Sequence, residues 1–224
     1  MQSIEDNRMM YSEILKKRGS LMNNDRKPYG LIAVIGKQET LRPALPAEFA
    51  GKQEVTFFSE EIPYYADLSI RDNVQQLRMM TGEKALALFE ELLTLSGLQN
   101  LSEWKQPFRK DMTGQKRLFG IFEAMITRPD LLLVFDLLAG MEANQREAFA
   151  KMADRYRENG GKLVYTAQSL KDVMRLELSQ EVWLTGKDGF IRTDTETVNA
   201  KCAALAATED IDEQYRRMEA GETW

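Results

Sequence analysis

The chain has 224 residues, a formal net charge of −5, one cysteine and no histidine. A Ser-His-Asp triad, a histidine-ligated zinc and a histidine general base are therefore excluded, and Cys202 alone forms no internal disulfide. Acidic and basic residues interleave, which gives no electrostatic footprint for nucleic acid; the 43% hydrophobic content and sparse Gly and Pro predict one packed core, alone or with a small appended lobe.

Residues 1–28 form a charged helix candidate with Tyr11, Ile14 and Leu15 on one side, followed by a polar turn at Asn23-Asn24-Asp25. Glu5, Asp6 and Arg8 interrupt any secretory segment there. No apolar stretch approaches the ~18–20 residues that cross a bilayer, so the expected location is cytoplasmic, with any membrane link running through a partner. Leu31-Ile32-Ala33-Val34-Ile35-Gly36 is an unbroken apolar run and reads as a short buried strand. Pro43 and Pro46 then predict that no long uninterrupted helix follows it. Val55-Thr56-Phe57-Phe58 reads as a second strand, leading into Ser59-Glu60-Glu61-Ile62-Pro63.

Asp67 or Ser69 is placed to cap the next helix. Ala85, Leu88, Phe89, Leu92 and Leu95 recur at helical spacing, and Gly97 and Asn100 suit the turn after them. Asp111-Met112-Thr113-Gly114-Gln115-Lys116-Arg117 opens another helix, continued on one face by Leu118, Ile121, Phe122, Met125 and Ile126. After Arg128-Pro129-Asp130, the run Leu131-Leu132-Leu133-Val134 reads as a buried strand stopped by Phe135-Asp136. Ala139-Gly140-Met141-Glu142, a polar-faced helix and a second buried strand from Leu163 to Thr166 follow, closed by Ala167-Gln168-Ser169. Helix, strand, helix, strand with polar residues at the strand ends is the pattern of an open α/β sheet, whose carboxyl edge is where ligands sit. Glu181 to Thr193, around Lys187-Asp188-Gly189, predicts a hairpin. Val198 to Met218 reads as one or two terminal helices, acidic then basic and partly solvated, and Gly221 to Trp224 as a frayed end.

From Asp111 to Gln168 this order resembles the C-terminal half of the ATP-binding subunits of ABC transporters, and the likeness extends over residues 30–36 and 55–218. The resemblance implies an α/β fold: a P-loop-NTPase-like ABC ATPase core with a truncated N-terminal half and a small helical subdomain. It divides the chain into an extension over 1–28, truncated core strands over 29–65, the helical subdomain over 66–110, the C-terminal half of the core over 111–195 and a helical tail over 196–224. The helical subdomain is the part that docks on a membrane-spanning subunit in the family. Tyr11 stands where an adenine-stacking aromatic is sought, although its spacing supports a helix-face anchor.

At the reactive positions the chain departs from the family pattern. A phosphate loop needs Gly, four residues, then Gly-Lys-Ser/Thr, so that amides and a lysine surround the phosphates and a hydroxyl holds magnesium. Gly36-Lys37 follows the first strand, but Leu31 stands five positions before Gly36 and Gln38 replaces the hydroxyl; Gly51-Lys52 fails as well, with Pro46 upstream and Gln53 downstream. The loop is absent. Glu60 falls at the Q-loop glutamine. In the signature, Thr113, Gly114 and Gln115 are the remnant, with Met112 at the serine, where no hydrogen bond can be donated.

Aligned without gaps, Phe135 stands at the metal-liganding aspartate of Walker B and Asp136 at the catalytic glutamate. A one-residue slip puts Asp136 at the metal and Leu137 at the glutamate. Either register loses a carboxylate that phosphoryl transfer relies on. Glu142 falls at the D-loop aspartate, and the switch histidine becomes Gln168, which cannot titrate. The resemblance thus implies a catalytically impaired ABC subunit, a pseudo-ATPase that serves as structural or regulatory partner of an active ABC ATPase, as a homodimer, or with a membrane permease. No metal or cofactor is expected on the chain alone; ATP and magnesium would be shared only through a partner, and no nucleic acid is expected. The alternatives are an active ATPase with an unusual site around Asp136, and an interaction module on an ABC scaffold without a transport role.

Overall fold

A computed structural model of the chain describes residues 30–49, 55–58, 64–127, 130–186, 189–204 and 210–219. The 1–28 extension with Tyr11, the Gly51-Lys52 pair, Glu60, the Lys187-Asp188 turn and the last residues lie outside these. β1 (Leu31–Ile35) is followed by α1 (Gln38–Phe49), β2 (Val55–Phe58), α2 (Ile70–Met80), α3 (Glu83–Ser96) and α4 (Thr113–Thr127). Then come β3 (Leu131–Val134), α5 (Ala143–Glu158), β4 (Leu163–Ala167), α6 (Leu170–Met174), β5 (Glu181–Gly186), β6 (Gly189–Asp194), α7 (Thr195–Ala204) and α8 (Ile211–Glu219).

The strands form one sheet in the order β2-β3-β4-β1-β5-β6, parallel except for the β5–β6 pair. Its two sides are set by the two-residue alternation of side chains. Leu31, Ala33, Ile35, Leu132, Val134, Leu163, Tyr165, Val182 and Leu184 belong to one core, with α2 through α6 packed on it. Val34, Leu131, Leu133, Val164 and Trp183 belong to a second, smaller core, where Leu41, Leu45 and Phe49 of α1 pack.

One expectation is overturned here. Despite Pro43 and Pro46, a 12-residue helix does follow β1. Leu41, Leu45 and Phe49 recur every four residues and are buried. Burial of each contributes about 1.5–3 kcal/mol, which offsets interior-proline costs of about 3 kcal/mol each. The stripe outweighs the lost amides because Pro43 lies on the solvent side and Pro46 at its margin.

The helical part follows its signals closely. Ser69 is the N-cap of α2 and accepts from the amide of Asp72 at 3.1 Å. Gly97 ends α3 with φ 67°, a conformation that glycine adopts without strain. The rings of Phe89 and Phe122 meet at 5.1 Å, joining α3 to α4. Glu123 on α4 is less comfortable. Its Oε2 is buried with no hydrogen-bond partner, and burial pushes the carboxyl above the usual carboxylate range. A raised folded-state value favours the folded chain below the unfolded carboxylate range, and that contribution is lost as pH rises through the raised value. Glu123→Gln is therefore expected to gain stability relative to the parent at pH 7, with the difference narrowing as pH falls towards 4. Denaturant unfolding across that range checks it.

Candidate functional site

The crevice that matters lies where neighbouring strands leave the sheet towards opposite faces. β1 leads into α1 on the smaller-core side, whereas its neighbour β4 leads into α6 on the other side. Between parallel strands such a switch point is the usual binding crevice of an open α/β sheet. Gly36-Lys37-Gln38, Phe135-Asp136 and Gln168-Ser169 all stand at this edge.

Only Gly36 and Lys37 separate the end of β1 from the start of α1. The Gly36 amide donates to the Ala167 carbonyl at 3.2 Å, and the Lys37 carbonyl already accepts from the amides of Thr40 and Leu41, both at 3.0 Å. A Cβ on Gly36 would lie 2.6 Å from Cγ2 of Thr185, so the glycine is accounted for by packing. Lys37 is exposed.

Thr166 is the joint of the crevice, although nothing in its sequence context marks it. It is 1% exposed, and its Oγ1 accepts from the Asp136 amide at 2.7 Å and from Nε2 of Gln38 at 3.4 Å. Asp136 sits in the left-handed region at φ 49°, which aspartate tolerates better than most residues. Its carbonyl accepts from the Arg117 guanidinium of α4. Its two carboxylate oxygens each lie 3.4 Å from Nε2 of Gln168, a long contact with a neutral donor. The preceding Phe135 is half-buried against the smaller core, with the guanidinium of Arg42 5.3 Å from its ring centre. Leu137 is fully buried.

The signature remnant and the D-loop position meet at a second junction. Met112, at the signature serine, is buried in the main core. Thr113, Gly114 and Gln115 form the first turn of α4. Glu142 is the N-cap of α5 in a capping box, with its own amide donating to Oε1 of Gln145 at 2.9 Å. That Gln145 side chain lies directly over Gly114. Arg146 completes the junction, donating to the Met141 carbonyl at 3.1 Å and pairing with Asp172 of α6 at 2.9 Å.

Two further residues that sequence reasoning passed over come from α8. Asp212 accepts from the Ser169 hydroxyl at 2.9 Å and from the Leu170 amide at 2.8 Å. Tyr215 donates to the Ile35 carbonyl at 2.9 Å, and its oxygen lies 2.6 Å from Oγ1 of Thr185. The tail read as partly solvated therefore has a buried anchor, signalled only by Ile211 and Tyr215 standing four apart in a charged stretch.

No protein-family model matches the chain. Among curated proteins, it is 26% identical over 117 residues to the lantibiotic transport ATP-binding protein of Streptococcus pyogenes, covering 52% of this chain and 50% of that one. It is 25% identical over 139 residues to the molybdenum import ATP-binding protein of Pectobacterium atrosepticum, covering 60% of this chain and 36% of that one. The chain thus spans half or less of the length of these relatives. Among solved structures, an ATP-binding subunit of an ABC transporter superposes with a TM-score of 0.55 at 15% identity, over 85% of this chain and 88% of that one. An inward-facing ABC transporter described as of the metal-chelate type gives a TM-score of 0.54 at 18% identity, over 76% of this chain and 74% of that one. Sequence and architecture point the same way: the chain has the fold of the ATP-binding subunits of ABC transporters, and the curated proteins it matches are ATP-binding proteins of transport and import.

Proposed function

We propose that this chain is a non-hydrolysing subunit of an ABC-type assembly, a structural or regulatory half that pairs with an active ABC ATPase, with a second copy of itself, or with a membrane permease. The observation that carries this reading is the two-residue passage of Gly36 and Lys37 from β1 into α1. A phosphate loop surrounds a triphosphate with successive backbone amides and a lysine, and two residues cannot wrap one. Phe135 at the Walker B aspartate, buried Met112 at the signature serine and Gln168 at the switch histidine support the same conclusion. Among the described residues of the crevice, the Asp136 carboxylate has the neutral amide of Gln168 beside it, whereas phosphoryl transfer depends on positioned charge. Thr113, Gly114 and Gln115 are the residues through which a partner's nucleotide would be touched. By the resemblance, Glu60 falls at the Q-loop position, which couples the core to a membrane-spanning partner, and Glu142 at the D-loop position. No helix among the described residues is long and apolar enough to cross a membrane, and we place the protein in the cytoplasm, at the membrane face through its partner.

Titration of the purified chain with ATP and magnesium tests this reading, with calorimetry for binding and phosphate release for turnover. Neither micromolar binding nor turnover is expected from the chain alone. Both together would establish an active ATPase around Asp136 instead. Affinity purification from the native host should recover an ABC ATPase or a permease; recovery of neither, with the chain inert towards ATP, would leave an interaction module on an ABC scaffold.

A further inference from the structure

Among its described residues, α8 meets the rest of the protein chiefly at α6 and β5. Glu213, Arg216 and Arg217 are exposed, Ile211 is half-buried and Tyr215 is 5% exposed. Its polar contacts nonetheless fall on both flanks of the switch-point crevice. On the β1 flank, the Tyr215 hydroxyl holds the carbonyl of Ile35, the last strand residue before Gly36-Lys37. On the β4 flank, Asp212 accepts from the Ser169 hydroxyl, the Leu170 amide and, at 3.3 Å, the Lys171 amide. These donors begin immediately after Gln168, whose amide faces Asp136. Two side chains three positions apart on one helix therefore tie the two sides of the crevice together.

We infer that α8 is a releasable strap: its docking fixes the Gln168-Ser169 turn against Asp136, and its undocking frees that turn while the sheet stays folded. Elements with few buried apolar contacts open locally at a free energy well below that of global unfolding, and among the described side chains of α8 only Tyr215 is buried, with half-buried Ile211 packed beside it. Asp212 and Tyr215 are thus positioning residues for the crevice. This stands apart from whether the chain hydrolyses ATP, since it concerns the resting protein.

Hydrogen–deuterium exchange on the full chain tests the strap. In the double variant Asp212→Ala/Tyr215→Phe, exchange over residues 168–174 and at the end of β1 should rise roughly 10- to 100-fold, while β3 and α4 keep the parent rates. Asp212→Asn retains an acceptor for the Leu170 amide and should restore much of the protection in 168–174. The side-chain amide resonances of Gln168 should shift in the double variant and return towards the parent position in Asp212→Asn. Exchange that rises uniformly across the sheet, or a double variant that does not fold, would make α8 an integral part of the core and overturn the proposal. Unchanged exchange in both the double variant and Tyr215→Phe alone would overturn it as well.

Discussion

Gly114→Ala is expected to lower the unfolding free energy by about 1–3 kcal/mol. The added methyl would lie 1.8 Å from Oε1 and 2.6 Å from Cδ of Gln145, so one of the two must move. A flexible side chain at a surface would swing aside at little cost. Gln145 is 6% exposed and its Oε1 holds the Glu142 amide, so displacing it breaks the capping box that starts α5. Chemical denaturation of the single variants and of Gly114→Ala/Gln145→Ala checks the assignment. Once Gln145 is truncated, the methyl has room, and the double variant should be clearly less destabilised than the sum of the singles. Additive effects would mean that the strain lies elsewhere. The result also bears on function: a glycine kept only so that a phosphate can approach would tolerate alanine without loss of stability.

The packed parts of this protein are legible in its sequence because they follow local periodicity. The runs Leu31–Ile35 and Leu131–Val134 are parallel members of one sheet, each paired with β4 between them, and the Leu88, Phe89 and Leu92 stripe is the buried side of α3. The hairpin expected over Glu181 to Thr193 from the Asp188-Gly189 pair is present as the antiparallel strands β5 and β6. The prolines mislead over α1 because their penalties are local, whereas the compensating burial of Leu41, Leu45 and Phe49 is visible only once the sheet face is known.

The crevice shows the opposite limit. Asp136 and Gln168 stand out through the spacing of strand ends, and their side chains do face each other. Thr166, Gln38, Asp212 and Tyr215 carry no such mark, since they act through contacts spanning large sequence separations. A threonine inside an apolar strand reads as one more β-branched filler until its hydroxyl is seen to have a donor.

That hydroxyl supports the last expectation. Thr166→Val preserves shape and β-branching, so the strand and the smaller core beneath it should be undisturbed. What disappears is the acceptor for the Asp136 amide at 2.7 Å and for Nε2 of Gln38 at 3.4 Å. Leaving a partly buried amide unpaired costs about 1–3 kcal/mol, and the loss falls on a residue whose left-handed φ of 49° is already held by its surroundings. Asp136 then keeps the bonds its carbonyl accepts from Arg117 and from the Ala139 amide, together with the long contacts of its carboxylate with Gln168. Denaturant unfolding should register the destabilisation. Thr166→Ser, which keeps the acceptor but loses a methyl, should lie between the parent and Thr166→Val. If serine proves as damaging as valine, the methyl's packing decides this position, and the hydroxyl is not what holds the crevice in shape.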